Sequence, residues 1–200
     1  PWRGVLKSAS VEQFPDEGIL IAAPAPPPGM GSLLLPGLGR PLLAELERAD
    51  HLVTLGAMVA DHPRGRVIGA RRAVITYRLA RDDGRRLLRA VEIMGRLLFA
   101  AGASEVLTGL PRQPTVTSIE ALVAATTTAR GRDLHVAAFH PTGTLAAGSD
   151  PQRHPVDPDG RLRGVAGVWV TDGSILPSCA TVNPQVSIMA LALAAAETID

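Results

Sequence analysis

One cysteine, Cys179, is all that the 200 residues contain, so an internal disulfide is excluded and the thiol reads as a packing residue. Aromatic residues make up 3% of the chain against 46% hydrophobic residues overall, so a core is within reach but aliphatic side chains must fill it. An excess of charge of either sign is missing too. The formal net charge is +1, and basic pairs such as Arg71-Arg72 and Arg85-Arg86 are interleaved with acids along the chain. Those pairs read as solvated faces and give no basis for a nucleic-acid or membrane-surface partner. Once charges and prolines are counted, no apolar run approaches the ~18 residues of a membrane span. His51, His62, His135 and His154 lack metal-ligand spacing to carboxylates or cysteine, so no metal site is expected. Ser174 lacks the Gly-x-Ser-x-Gly elbow of a serine hydrolase, and Asp172 stands too near it in sequence to orient His140 simply. No internal repeat is visible. Gly-x-Gly occurs in the front half only at Gly29-Met30-Gly31 and Gly37-Leu38-Gly39. Neither run has the third glycine, the preceding strand and the later acid of a dinucleotide-binding turn.

What the chain does carry is concentrated in its last third. Asn183-Pro184 marks a helix start, because Asn can cap orphan donors and a proline in the first turn has no hydrogen bond to lose. The run after it, with Val186, Ile188, Met189, Leu191 and Leu193 among alanines, is apolar almost all round and predicts a buried helix. A buried helix N-terminus offers free N–H groups and partial positive charge to an anion, or to a ring that becomes anionic. Just upstream, residues 168–171 read as a short buried strand, and Asp172-Gly173-Ser174 as the turn leaving its carboxyl end, where ligands collect in α/β proteins. His140 precedes Pro141, so it belongs to a loop. An imidazole there suits a general base, since its unperturbed pKa near ~6.5 needs only a modest shift to be set neutral.

The segments FHPTGTLAAG (139–148), VDPDGRLRGVAGVWVTDGS (156–174) and NPQVSIMALA (183–192), in this order, closely resemble the C-terminal part of the glucose-methanol-choline (GMC) family of flavin-dependent alcohol oxidoreductases. The resemblance implies FAD as cofactor and a catalytic pair in which His140 lies over the flavin ring and Asn183 completes the site. The Asn-Pro form of the second motif looks like the long-chain alcohol oxidase, choline oxidase and cholesterol oxidase branches. Asp172 and Gly173 match the family's Asp-[Gly/Ala]-Ser turn beside the phosphate-ribityl region, and Asn183, Pro184 and Gln185 fall at the pyrimidine edge of the flavin. The implied chemistry is removal of an alcohol hydroxyl proton by His140, with hydride passing from the carbinol carbon to flavin N5 and Asn183 donating to the substrate oxygen. An Asn183 side chain turned to substrate cannot also cap the helix. Leu145-Ala146-Ala147 departs from the Cys-[Arg/Lys]-Met that many members carry there, which puts side-chain roles just past His140 in doubt while leaving backbone roles possible.

The expected fold class is mixed α/β: a substrate-domain antiparallel sheet with helices, plus the C-terminal returning part of an FAD-binding Rossmann-like domain. Residues 1–134 are read as part of the substrate-binding domain, and 135–200 as part of the FAD-binding domain that carries the active-site His and Asn. Strands are expected at 18–23, 52–60 and 73–79 in one sheet, with helices at 41–49, 82–102 and 118–129, the last capped by Ser118 or Thr117. Residues 61–67 form a turn between strands, and the proline-rich stretch 24–39 an irregular loop. Pro1 in place of Met, and the missing fingerprint, favour the C-terminal portion of a larger enzyme. Its expected partners are a small-molecule alcohol and an upstream FAD-binding portion, in the same enzyme or a separate chain, without nucleic acid. Alone, the chain is expected to be inactive, without flavin, and unstable or sticky. Cellular location stays open, with cytoplasm as the default. The other reading is a degenerate flavoprotein piece that serves as a non-catalytic scaffold.

Overall fold

The computed structural model describes residues 7–24, 35, 37–69 and 71–199, so most of the loop expected over 24–39 lies outside the described residues. Strand β1 (Lys7–Phe14) runs into a turn at Pro15–Gly18, where Gly18 at φ 63° donates its N–H to the Pro15 carbonyl at 2.9 Å. A side chain would be strained at that φ, so glycine suits the site. Strand β2 (Ile19–Pro24) then returns antiparallel to β1, and β3 (Gly56–Val59) pairs antiparallel on its other side with Ile19 opposite Val59. Between β2 and β3 lie helix α1 (Arg40–Glu47) and a 3-10 turn.

Four consecutive residues of β2, Ile19 to Ala22, are buried, which marks it as the covered middle strand. Helix α2 (Arg81–Ala100) packs on that sheet through Ala90, Ile93 and Met94, against Ile19, Ile21, Val11 and Phe14. Its other side, with Leu88, Leu98 and Phe99, joins a second cluster built from the hairpin of β6 (Val106–Leu107) and β7 (Thr115–Val116), and from helix α3 (Ile119–Thr128). Two glycines permit these contacts. A Cβ at Gly95 would stand 2.4 Å from a methyl of Leu122, and a Cβ at Gly131 would meet the Gly84 Cα at 2.4 Å. The Ser118 side chain caps α3, accepting from the Ala121 N–H at 3.2 Å, as its sequence predicts.

The chain divides into two compact units, one from 1–59 and 81–135, the other from 60–80 and 136–200. In the second, β4 (Arg66–Ile68) and β5 (Val74–Thr76) form a separate antiparallel ladder, with Val67 opposite Ile75. This corrects the expectation of one sheet containing 73–79. Gly69 at φ 104° lies tight against the Arg72 carbonyl and closes a local hairpin, so β5 pairs with its near neighbour β4. A second correction concerns 168–171. Among the described residues this segment makes a single bridge, Trp169 to Arg161, and Val168 is exposed, because a strand needs neighbours along its whole length. The last helix, α4 (Gln185–Ala196), makes four helices with small antiparallel sheets among the described residues, a mixed α/β fold.

Candidate active site

The second unit brings three of the sequence segments together at Gly173. The loop after His140 is laced to the turn that Asp172 begins, Leu145 N–H donating to the Ser174 carbonyl at 3.0 Å and Ala147 N–H to the Ile175 carbonyl at 2.9 Å. A Cβ at Gly173 would meet the Pro141 carbonyl on one side and the Ile188 Cδ1 of α4 on the other, both at 3.3 Å. Gly173 therefore lies against both the loop and the helix. His140 stands one residue before that contact and Asn183 two residues before α4, and both are exposed.

Asp172 organises the turn. Its carboxylate accepts from the Ser174 backbone N–H at 2.8 Å and caps a short 3-10 turn (Gly173–Ile175), which drives Ile175 and Leu176 into the interior. The Ser174 hydroxyl lies close to the same carboxylate but outside hydrogen-bond geometry. Hydroxyl and N–H together hold the Asp172 carboxyl below the usual aspartate range. Ser174 and Ile188 are thus parts of the arrangement that sequence reading left without a role; the helical spacing that puts Ile188 in the first turn was the available signal.

Helix α4 starts at Gln185, with the buried Pro184 as its N-cap at φ −82° and ψ 1°, and the Ile188 N–H closes the first turn on the Pro184 carbonyl at 2.8 Å. Asn183 lies outside the capping position. The N–H groups ahead of Ile188 have no acceptor within the helix, so this end can receive an electron-rich group beside the exposed Gln185. The expected burial of α4 is corrected: only Ala195 is buried among its residues, while Val186 is 77% and Leu193 66% exposed. An apolar helix is covered only where other chain reaches it, and here the described contacts reach one side.

A cavity of about 520 Å³ in the same unit is lined by Asp157, Arg161, Arg163 and the 164–169 loop, all upstream of the Asp172 turn in the 156–174 segment and none at the convergence on Gly173. The guanidinium of Arg161 lies 5.4 Å from the Trp169 ring centre at the end of that loop, and Arg163 donates to the carbonyls of Gly148 and His154, so both arginines are engaged by the protein itself. Among the described residues no group of three His, Cys, Asp or Glu could hold a metal, and no helix is long and apolar enough to cross a membrane.

Comparison with known proteins matches residues 60–192 to the family model described as GMC oxidoreductase. A GMC-type oxidoreductase of Mycobacterium tuberculosis is 55% identical over 98% of this chain and 32% of its own length. Choline oxidase of Arthrobacter globiformis is 36% identical over 34% of this chain and 13% of its own. A long-chain-alcohol oxidase of Arabidopsis thaliana is 26% identical over 87% and 25%. The chain spans about a third of the length of the Mycobacterium relative.

Proposed function

The chain belongs to the GMC oxidoreductase family, and from that membership we propose that it supplies the catalytic C-terminal part of an FAD-dependent enzyme oxidising the CH–OH group of an alcohol. The observation that carries the reading is the meeting at Gly173 of the loop after His140 and the first turn of α4. These residues fit a flavin. A side chain at Gly173 would crowd Pro141 and Ile188, so the turn is bare backbone that can approach a ligand, and the start of α4 offers free N–H groups to a carbonyl edge. Asp172, Gly173, Pro184 and Gln185 would hold it, together with the backbone of Asn183. When bound, FAD supplies the acceptor for the hydride that leaves the carbinol carbon.

The protein's own residues do the rest. Neutral His140 takes the hydroxyl proton at its free ring nitrogen, and the Asn183 amide donates a hydrogen bond to the same substrate oxygen, orienting it and stabilising charge that builds there. Asn183 lies outside the N-cap, which Pro184 occupies. The names of two relatives, choline oxidase and long-chain-alcohol oxidase, support an alcohol as substrate. The ADP half of the cofactor needs a Gly-rich turn that these residues lack, so activity depends on a portion that carries one.

The test is anaerobic flavin reduction by alcohol, in the chain joined to its FAD-binding portion. His140→Ala should slow reduction by about 10²-fold to 10⁴-fold with flavin still bound, and Asn183→Ala should slow it as well. Unchanged reduction in His140→Ala would remove the proposed base. Bound FAD that no alcohol reduces, even in the unaltered protein, would favour the non-catalytic scaffold.

A further inference from the structure

From His62 to Leu79 the sequence holds five arginines, Arg64, Arg66, Arg71, Arg72 and Arg78, and no acid. The chain-wide net charge of +1 averages over this asymmetry, and the reading of Arg71-Arg72 as interleaved with acids, with no basis for a membrane-surface partner, is corrected for this stretch. All five are exposed, and among the described residues none has a carboxylate within ion-pair distance. Asp61, the acid next before them, accepts from the Tyr77 hydroxyl at 2.6 Å.

The same segment is apolar on both faces. Val67 faces Ile75 across the ladder and Ile68 faces Val74, and adjacent positions on a strand point to opposite sides. Each face therefore presents one pair of branched aliphatic side chains, from 52% exposed at Val67 to 75% at Ile75. Arg71 and Arg72 lie in the connection between the strands, beside the tight approach of Gly69 to the Arg72 carbonyl. A short ribbon of this kind cannot bury its own side chains. It combines planar forks that match phosphate oxygens with apolar groups that gain by leaving water.

We propose that the β4–β5 ribbon docks on an anionic phospholipid surface, with Arg71 and Arg72 at the headgroup phosphates and the Val67/Ile75 and Ile68/Val74 pairs at the acyl boundary. Unpaired positive charge selects the anionic partner, and the aliphatic pairs select a lipid over a nucleic acid. Single-stranded nucleic acid is held by stacking on aromatic side chains, and Tyr77 is the one tyrosine of the chain, with no Phe or Trp between His62 and Leu79. The docking stands on the ribbon alone and is independent of the oxidoreductase chemistry.

The experiment is vesicle co-sedimentation of the chain joined to its FAD-binding portion, with phosphatidylcholine/phosphatidylglycerol vesicles and with pure phosphatidylcholine vesicles. It is run at low salt and near ~1 M salt, where the Debye length shrinks to ~3 Å. Binding is expected to the anionic vesicles and to be lost at high salt. The Arg71→Gln/Arg72→Gln variant should partition about 25-fold more weakly, at the usual ~fivefold per basic side chain near such a surface. Far-UV circular dichroism verifies its fold, and Arg71→Lys/Arg72→Lys, which keeps the charge, should still bind. Ile75→Ser should weaken binding while leaving the salt dependence in place. Equal binding to neutral vesicles, which adhesion of the exposed α4 would give, overturns the proposal. So does an unaffected Gln variant, tighter capture by an oligonucleotide at the same salt, or no vesicle binding.

Discussion

The Leu145 N–H donates to the Ser174 carbonyl at 3.0 Å, and the bond is made by backbone on both sides. Ala147 repeats it two residues on with Ile175. The side chains at 145–147 can therefore depart from the pattern many GMC members show without loosening the loop after His140 from the Asp172 turn. The departure that weakened the sequence argument falls on positions whose described bonds come from the main chain.

Asp172 gives that turn a pH dependence. The Ser174 hydroxyl and N–H hold the folded-state carboxyl below its ordinary value, so the ionised form is favoured in the folded chain. Its stabilisation is complete above the unfolded aspartate value near ~3.9 and is lost as pH falls through the lower folded value. The difference in thermal midpoint between the unaltered chain and Asp172→Asn should stay level from about pH 7 to 5 and close below ~4. Two curves that stay parallel into strong acid would deny Asp172 this role.

A second acid is structural. Asp83 is fully buried in the first turn of α2 and pairs with Arg86 at 2.5 Å, while Arg86 also donates to the Glu17 carbonyl at 3.3 Å. Removing one partner of a buried pair leaves the other uncompensated, so Asp83→Ala should cost about 3 to 5 kcal/mol in denaturant unfolding. The Asp83→Ala/Arg86→Leu double variant should recover part of that loss. If Asp83→Ala alone costs under ~1 kcal/mol, the range of an ordinary exposed pair, water must reach the pair.

Gly95 is the point where α3 enters the surface of α2. An alanine methyl would meet Leu122 at 2.4 Å, and Leu122 is fully buried, so Gly95→Ala should destabilise by about 1 to 3 kcal/mol through overpacking. Leu122→Ala should cost about 2 to 5 kcal/mol by leaving a cavity. The two combined should cost less than their sum, because the added methyl occupies the vacated space. Additive losses, measured by chemical denaturation, would place the strain elsewhere.

What the sequence made legible was local. Ser118 caps its helix because capping needs only the next few residues, and the apolar stripe around Leu88 and Met94 gave α2 to within two residues at either end. Pairing was less legible. Strand β1 mixes Lys7, Ser8, Glu12 and Gln13 with few apolar positions and is held by bulged pairing to β2, while β5 turned to β4 where a three-strand sheet was expected. The burial of α4 and the strand at Trp169 depended on surroundings that periodicity does not carry. In the candidate site, the motifs located the segments, and their convergence at Gly173 needed coordinates, because Pro141 and Ile188 are far apart in sequence.

A helix that is apolar on every side has no face of its own to turn inward; nothing in α4 alone fixes its rotation about its axis. Two glycines act as keyways. Ile188 seats over Gly173, and Ala195, about two turns further along the same face, comes within 3.0 Å of where a Cβ of Gly160 would be. The direction in which Gln185 is presented is thus set from outside the helix, by two positions that have no side chain. Exposed residues such as Met189 can be exchanged without turning the shaft, whereas a methyl at Gly160 would push against the Ala195 end and re-aim the other.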